Sequence, residues 1–169
     1  MNTYLSLLHS ICIVALFSNY VNTCWVLSIA YFISDSVAIL LDHHTQYKFV
    51  FLLHHFISIT SLWYGFVPSF RFFDPMCDFF IAAESSNIAL NLSKLALSKK
   101  RPPSQRFFIL LSELIVYGWF RCVVIGNIVL THVHAIGWLN IPALSLYAMG
   151  VVWTFKITNQ LVNLYHAPP

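Results

Sequence analysis

Charge is scarce in this chain. Only 9% of its 169 residues are Asp, Glu, Lys or Arg, where a water-soluble domain carries about a quarter. Nine basic and six acidic side chains cannot solvate the surface of a globule of this size. Amphipathic stripes with one charged face, the mark of a soluble helical protein, are missing too. Whole stretches of about 20 residues lack charge on every face, enough to cross roughly 30 Å of hydrocarbon.

Other absences narrow the class further. The four cysteines, Cys12, Cys24, Cys77 and Cys122, form no CxxC pair, which argues against a thiolate metal site or a disulfide scaffold. No basic stripe tracks a phosphate backbone, so no nucleic-acid partner is expected. The net charge of +3 comes mostly from one spot, Lys99, Lys100, Arg101 and Arg106, and reads as a topology signal. No run of about ten alternating residues suggests a barrel strand. No basic n-region precedes the first apolar run and no clear small-x-small site follows Leu5–Phe17, so a retained helix is expected there, not a cleaved leader.

What is present is hydrophobic: 59% of the residues. The expected fold is all-α, a polytopic membrane bundle of six transmembrane helices forming one domain over residues 1–169. The segments run about Tyr4–Val21, Trp25–Leu41, Phe49–Val67, Met76–Leu97, Phe107–Leu130, and from Leu139 or Ala143 to Tyr165. The turn Asp42–Lys48, the loop Pro68–Pro75 with Arg71 and Asp74, and the loop Ser98–Arg106 separate them. Helices are required because lipid offers backbone groups no partner. The positive-inside rule puts Ser98–Arg106 in the cytoplasm. Alternation then puts Asp42–Lys48 and both termini there. Tyr4, Tyr20, Trp25, Tyr47, Trp138 and Tyr165 suit an interfacial aromatic belt.

Inside the apolar segments stand polar residues, and an ionisable one costs at least about 2.5–3.5 kcal/mol to insert. They are Asp35, His54, His55, Glu84, Asn87, Asn91, Lys94, Glu113, Arg121 and Lys156. Counted from the helix ends, Asp35, the two histidines, Asn91 and Glu113 share a depth of roughly 8–10 Å below the cytoplasmic interface. Helical spacing groups Glu84, Asn87, Asn91 and Lys94 on one face, and His54, Ser58, Ser61 and Gly65 on another. It does the same for Glu113, Tyr117 and Arg121, and for Ser28, Tyr31 and Asp35. Such faces turn toward partner helices or a wet cavity. Pairing of Asp35 with Lys156, and of Glu113 with Arg121 or Lys94, is the purely structural explanation. The adjacent His54-His55 favours chemistry, because imidazole transfers protons near neutral pH and can act as a nucleophile. Histidines at i, i+1 chelate one ion poorly from a helix, so no metal site is expected. His43-His44, in a polar turn, is expected to be solvated. The triplet Asn91-Leu92-Ser93 lies inside a membrane segment, out of reach of glycosylation.

Three stretches together resemble the TLC-domain family, which includes the ceramide synthases: Tyr31-Phe32-Ile33-Ser34-Asp35, His54-His55-x-x-Ser58-x-Thr60, and the polar run of the fourth segment. Ceramide synthases carry His-Asp-x-Ser-Asp-x-x-x-Glu-x-x-Lys in that run. Here it reads Ala83-Glu84-Ser85-Ser86-Asn87, then Asn91 and Lys94, which is more similar to the small TLC-domain-containing proteins. The resemblance implies membrane-lipid metabolism in the endoplasmic reticulum membrane, with acyl transfer from acyl-CoA to a lipid amine or hydroxyl as the activity. His54 and His55 would be the catalytic nucleophile and base, with Asp35 and Glu113 orienting an imidazole. Glu84, Asn87, Asn91, Lys94, Tyr117 and Arg121 would bind substrate, with Lys94 and the basic loop attracting the phosphates of CoA. Acyl-CoA is then a co-substrate and no cofactor is bound. Membrane lipids are the expected partners, with a homodimer as an option. Asn87 and Asn91, which replace acids, motivate the alternative of a non-catalytic protein that binds lipid or tunes membrane composition. A small transporter, the third reading, lacks the internal repeat and broken-helix pairs of that class.

Overall fold

A computed structural model describes residues 3–42, 48–64, 73–132 and 140–166. These form six helices: α1 (Thr3–Leu16), α2 (Val21–Leu41), α3 (Lys48–Tyr64), α4 (Phe73–Leu97), α5 (Pro103–His132) and α6 (Asn140–Tyr165). There is no strand among the described residues. The expected all-α class and helix count are what the structure has.

Several ends differ from expectation. α1 stops at Leu16 and a turn leads to Val21, where α2 begins. The expected break at residues 22–24 is helical instead. α4 starts at Phe73, so Asp74 and Pro75 belong to its first turn, where a proline's missing N–H costs nothing. α5 starts at Pro103, because a fixed φ suits the first helical position. Arg106 is therefore helical, not in a loop. His43-His44, Tyr47, Gly65, Arg71 and Trp138 lie outside the described residues.

Val21–Leu41, Pro103–His132 and Ile141–Tyr165 are long and apolar enough to cross a membrane. α1, with 14 residues, covers about 21 Å at 1.5 Å per residue, short of the hydrocarbon core. α4 is long enough, but Asp74, Asp78, Glu84 and Lys94 interrupt its apolar character. The outer surface of the bundle is apolar, with Phe49, Phe56, Phe108, Trp119, Val152 and Phe155 exposed. Many hydroxyls in these helices bond the carbonyl one turn back, as Ser34, Thr60, Ser112 and Ser145 do. That satisfies them without a partner helix.

Each helix packs between two others in the order α1, α4, α5, α6, α3, α2, and α2 returns to α1. The six thus close a ring in which α3 and α4, consecutive in sequence, stand apart. Neighbours run antiparallel. Cys24 and Ser28 of α2 meet Ile13 and His9 of α1, and Ser10 and Ser6 of α1 meet Glu84 and Asn91 of α4. The start of α1, the end of α6 and the turn after Leu97 consequently share one end of the bundle. Apolar side chains seal the ring in three places: around Trp25 and Phe80, around Ile125 and Val129, and around Leu110 and Ile157.

Candidate functional site

α4 supplies the polar spine of the ring. Its inward face points Glu84, Asn87, Asn91 and Lys94 at other helices, as their spacing predicts, but their partners descend step by step. Glu84 accepts a 2.7 Å hydrogen bond from Ser10 and lies 3.9 Å from His9 Nε2. Asn87 donates to Glu84 at 3.4 Å and accepts from Arg121 at 3.0 Å. Asn91 donates to Ser6 at 3.0 Å. Glu113 lies beside Ser93 and Lys94. The expected single layer is therefore a column. Ten residues separate Glu84 from Lys94, about 15 Å along a helix axis.

The histidine pair stands across the ring on α3. His55 is only 4% exposed. Its Nδ1 is 3.0 Å from Ser36 Oγ, and Ser36 gives its proton to the Phe32 carbonyl at 2.7 Å. Having one proton, Ser36 must accept from His55, so Nδ1 is the donor. The other nitrogen, Nε2, faces Asp35 Oδ2 at 3.6 Å. Asp35 therefore abuts a histidine, and that carboxylate oxygen has no hydrogen-bond partner among the described residues. His54 differs. Its Nδ1 is buried with no hydrogen-bond partner among the described residues, and its ring meets Phe32 edge-on at 6.1 Å.

Two cavities, each of about 100 Å³, meet at His54. The first is almost wholly apolar and reaches toward Met76, Ile128 and Ala143, away from the basic turn. The second reaches toward Lys94, Tyr117 and Trp153, toward that turn. His54, Glu84, Asn87 and Arg121 border both. The two cavities, together the passage, are one apolar and one more polar, with the His54 imidazole in the wall of both.

Arg121 reaches this junction through a break in helical regularity. Trp119–Val124 is a π-helical turn, in which the Ile125 N–H bonds back to Phe120. Such turns widen a helix and re-aim its side chains. The Arg121 stem passes Gly150 of α6, where an added Cβ would stand 3.1 Å from Arg121 Cβ and Cδ. Arg121 as a whole is 6% exposed; its guanidinium gives Nε–H to Ser86 at 2.7 Å and lies 5.5 Å from the Tyr117 ring centre.

The structure brings His54, His55, Glu84, Asn87, Asn91, Lys94, Tyr117 and Arg121 to the passage, with Asp35 behind His55. It does not bring Glu113 to the histidines. Glu113 sits near the basic-turn end of the α4–α5 seam because Arg121, two turns further along, takes the place at the junction. Lys156 is on the exposed side of α6, 4.3 Å from the Trp153 ring centre. Sequence reasoning missed α1. Its Ser6, His9 and Ser10 all face α2 or α4, and His9 stacks on Tyr31 at 4.2 Å. Their i, i+3, i+4 spacing was the available signal.

Neither curated proteins nor solved structures gave a match to the chain. Among protein families, the TLC domain matches residues 7–167, which supports a membrane protein with a lipid-related function. With almost the whole chain covered, this protein belongs to the TLC-domain family.

Proposed function

We propose that the passage holds the acyl chain of a lipid and that His54 and His55 transfer an acyl group from acyl-CoA to a lipid amine or hydroxyl. The observation that carries this reading is the position of His54. Its unpartnered Nδ1 lies where an apolar cavity meets a polar one, so a chain in the first presents its carbonyl to an imidazole. The His54 nitrogen attacks the thioester carbon, an N–C bond forms, the C–S bond breaks and the CoA thiolate leaves. The acceptor then attacks the acyl-imidazole. Its proton goes to His55 Nε2, the nitrogen left bare while Nδ1 donates to Ser36, and from there to the CoA thiolate, as the N–C bond breaks and neutral His54 returns. Ser36 orients His55 through Nδ1, and Asp35 stabilises the imidazolium that forms when Nε2 takes up a proton. Lys94 and the basic turn attract the CoA phosphates from the cytoplasm, with both termini on that side and the endoplasmic reticulum as the membrane.

A second reading, lipid binding without catalysis, is favoured by one observation. The polar groups of α4 are engaged by α1 and α5, and Glu113 is not beside the histidines. The two separate by assay of the purified full chain with labelled acyl-CoA and sphingoid or glycerol lipids. Transfer that vanishes in His54→Ala while chain binding persists supports catalysis. No transfer with any acceptor leaves the binding reading, and no chain binding removes both.

A further inference from the structure

The chain carries a cation in the wall shared by its two cavities that no acid among the described residues neutralises. Arg121 is buried, yet its hydrogen bonds go only to neutral oxygens: Ser86 Oγ, Asn87 Oδ1 and, at 3.5 Å, the Ala83 carbonyl. Among the described residues no carboxylate lies within ion-pair distance of it. Glu84 is the nearest acid along the network, but Asn87 stands between them, and Glu84 is taken up by Ser10 and His9. None of the described residues accepts from Nη1 of Arg121, so two N–H donors remain.

A buried guanidinium without an anion is costly unless something completes it. The π-helical turn and Gly150 both hold this one at the junction, and the neighbouring space is an apolar cavity walled by Phe79, Phe80, Val129 and Leu146.

We infer that Arg121 is the anchor of a carboxylate-binding site, and that the ligand is a long-chain fatty acid anion, with its head on Nη1 and the first carbons of its tail in the apolar cavity, which opens outward for the rest. Asn87 is the positioning residue that holds the guanidinium in place. Glu84 nearby disfavours a doubly charged head, so a carboxylate fits better than a phosphate monoester. This inference rests on the reading that the passage holds a lipid chain, and not on acyl transfer.

The test compares palmitate, the alcohol of the same chain length, and a single-chain phosphate monoester. Each competes with a photoreactive fatty acid for the purified full chain in lipid nanodiscs. Palmitate is expected to compete at least about tenfold better than the alcohol, as a charge-assisted hydrogen bond should give. Arg121→Gln should bring the acid down to the alcohol, and Arg121→Lys should restore part of the difference. Equal competition by acid and alcohol in the native protein overturns the inference, and needs no variant to fold. A phosphate monoester that outcompetes palmitate overturns the carboxylate assignment. If the photoreactive acid labels the protein and no single-chain compound displaces it, the chain-binding reading fails with it.

Discussion

Ser36 Oγ lies 3.0 Å from His55 Nδ1 while its own proton goes to the Phe32 carbonyl at 2.7 Å. The hydroxyl fixes which nitrogen of His55 carries hydrogen on that side and turns the other toward Asp35. Ser36→Ala removes this acceptor. We expect a loss of about 1 kcal/mol in stability, read as a lower unfolding temperature in detergent. Under acyl transfer, kcat should fall with little change in KM, since Ser36 does not line the passage. A KM effect alone would contradict the positioning role.

Gly150 and Gly118 make a matched pair. A methyl at Gly150 would stand 3.1 Å from Arg121 Cβ, whereas one at Gly118 would meet only Thr154 Cγ2 at 3.4 Å. Gly150→Ala should cost about 1–3 kcal/mol through crowding and weaken fatty-acid binding by displacing Arg121. Gly118→Ala should change stability by no more than about 0.5 kcal/mol. Thermal unfolding of both variants checks the contrast.

Asn91 ties α4 to α1 through Ser6, and its Oδ1 is without a hydrogen bond among the described residues. Asn91→Leu should cost about 1–3 kcal/mol, because it removes the buried hydrogen bond that Asn91 donates to Ser6 Oγ. The double variant with Ser6→Ala should recover part of that loss. A double-mutant cycle in unfolding measures the coupling.

The apolar cavity can be filled from within. Ala143→Trp places a large ring where Val129 and Leu146 form the wall. Acid and alcohol binding should then fall together, in contrast to Arg121→Gln, which removes only the preference for acid. Competition with the photoreactive acid separates the two.

Alternating helix direction puts the start of α1, the end of α6 and the turn after Leu97 at one end. Tags at either terminus and a cysteine at Ser98 should therefore react from the same side, the cytoplasmic one by the positive-inside rule. Labelling of sealed vesicles from each side checks this, and a terminus labelled from the opposite side would contradict the alternation.

Low charge and long apolar runs were enough to read a helical membrane bundle, because lipid leaves the backbone no other way to pair its hydrogen bonds. The inward faces of α2, α3, α4 and α5 were also legible, since residues at steps of three and four share a side. The family was legible in the order of Asp35, His54-His55 and the run from Ala83 to Lys94. Tertiary structure decided the rest. Depth counted from helix ends grouped Glu113 with the histidines, but α5 packs against α4 so that Arg121 reaches them instead. A π-helical turn has no pattern in residue spacing, and the closeness of Gly150 to Arg121 depends on two helices far apart in sequence. The polar face of α1 was hidden because serine and histidine in a short apolar helix look incidental until α4 lies against them. The buried polar column was thus implied by composition, while packing order around the ring decided which side chains share the junction.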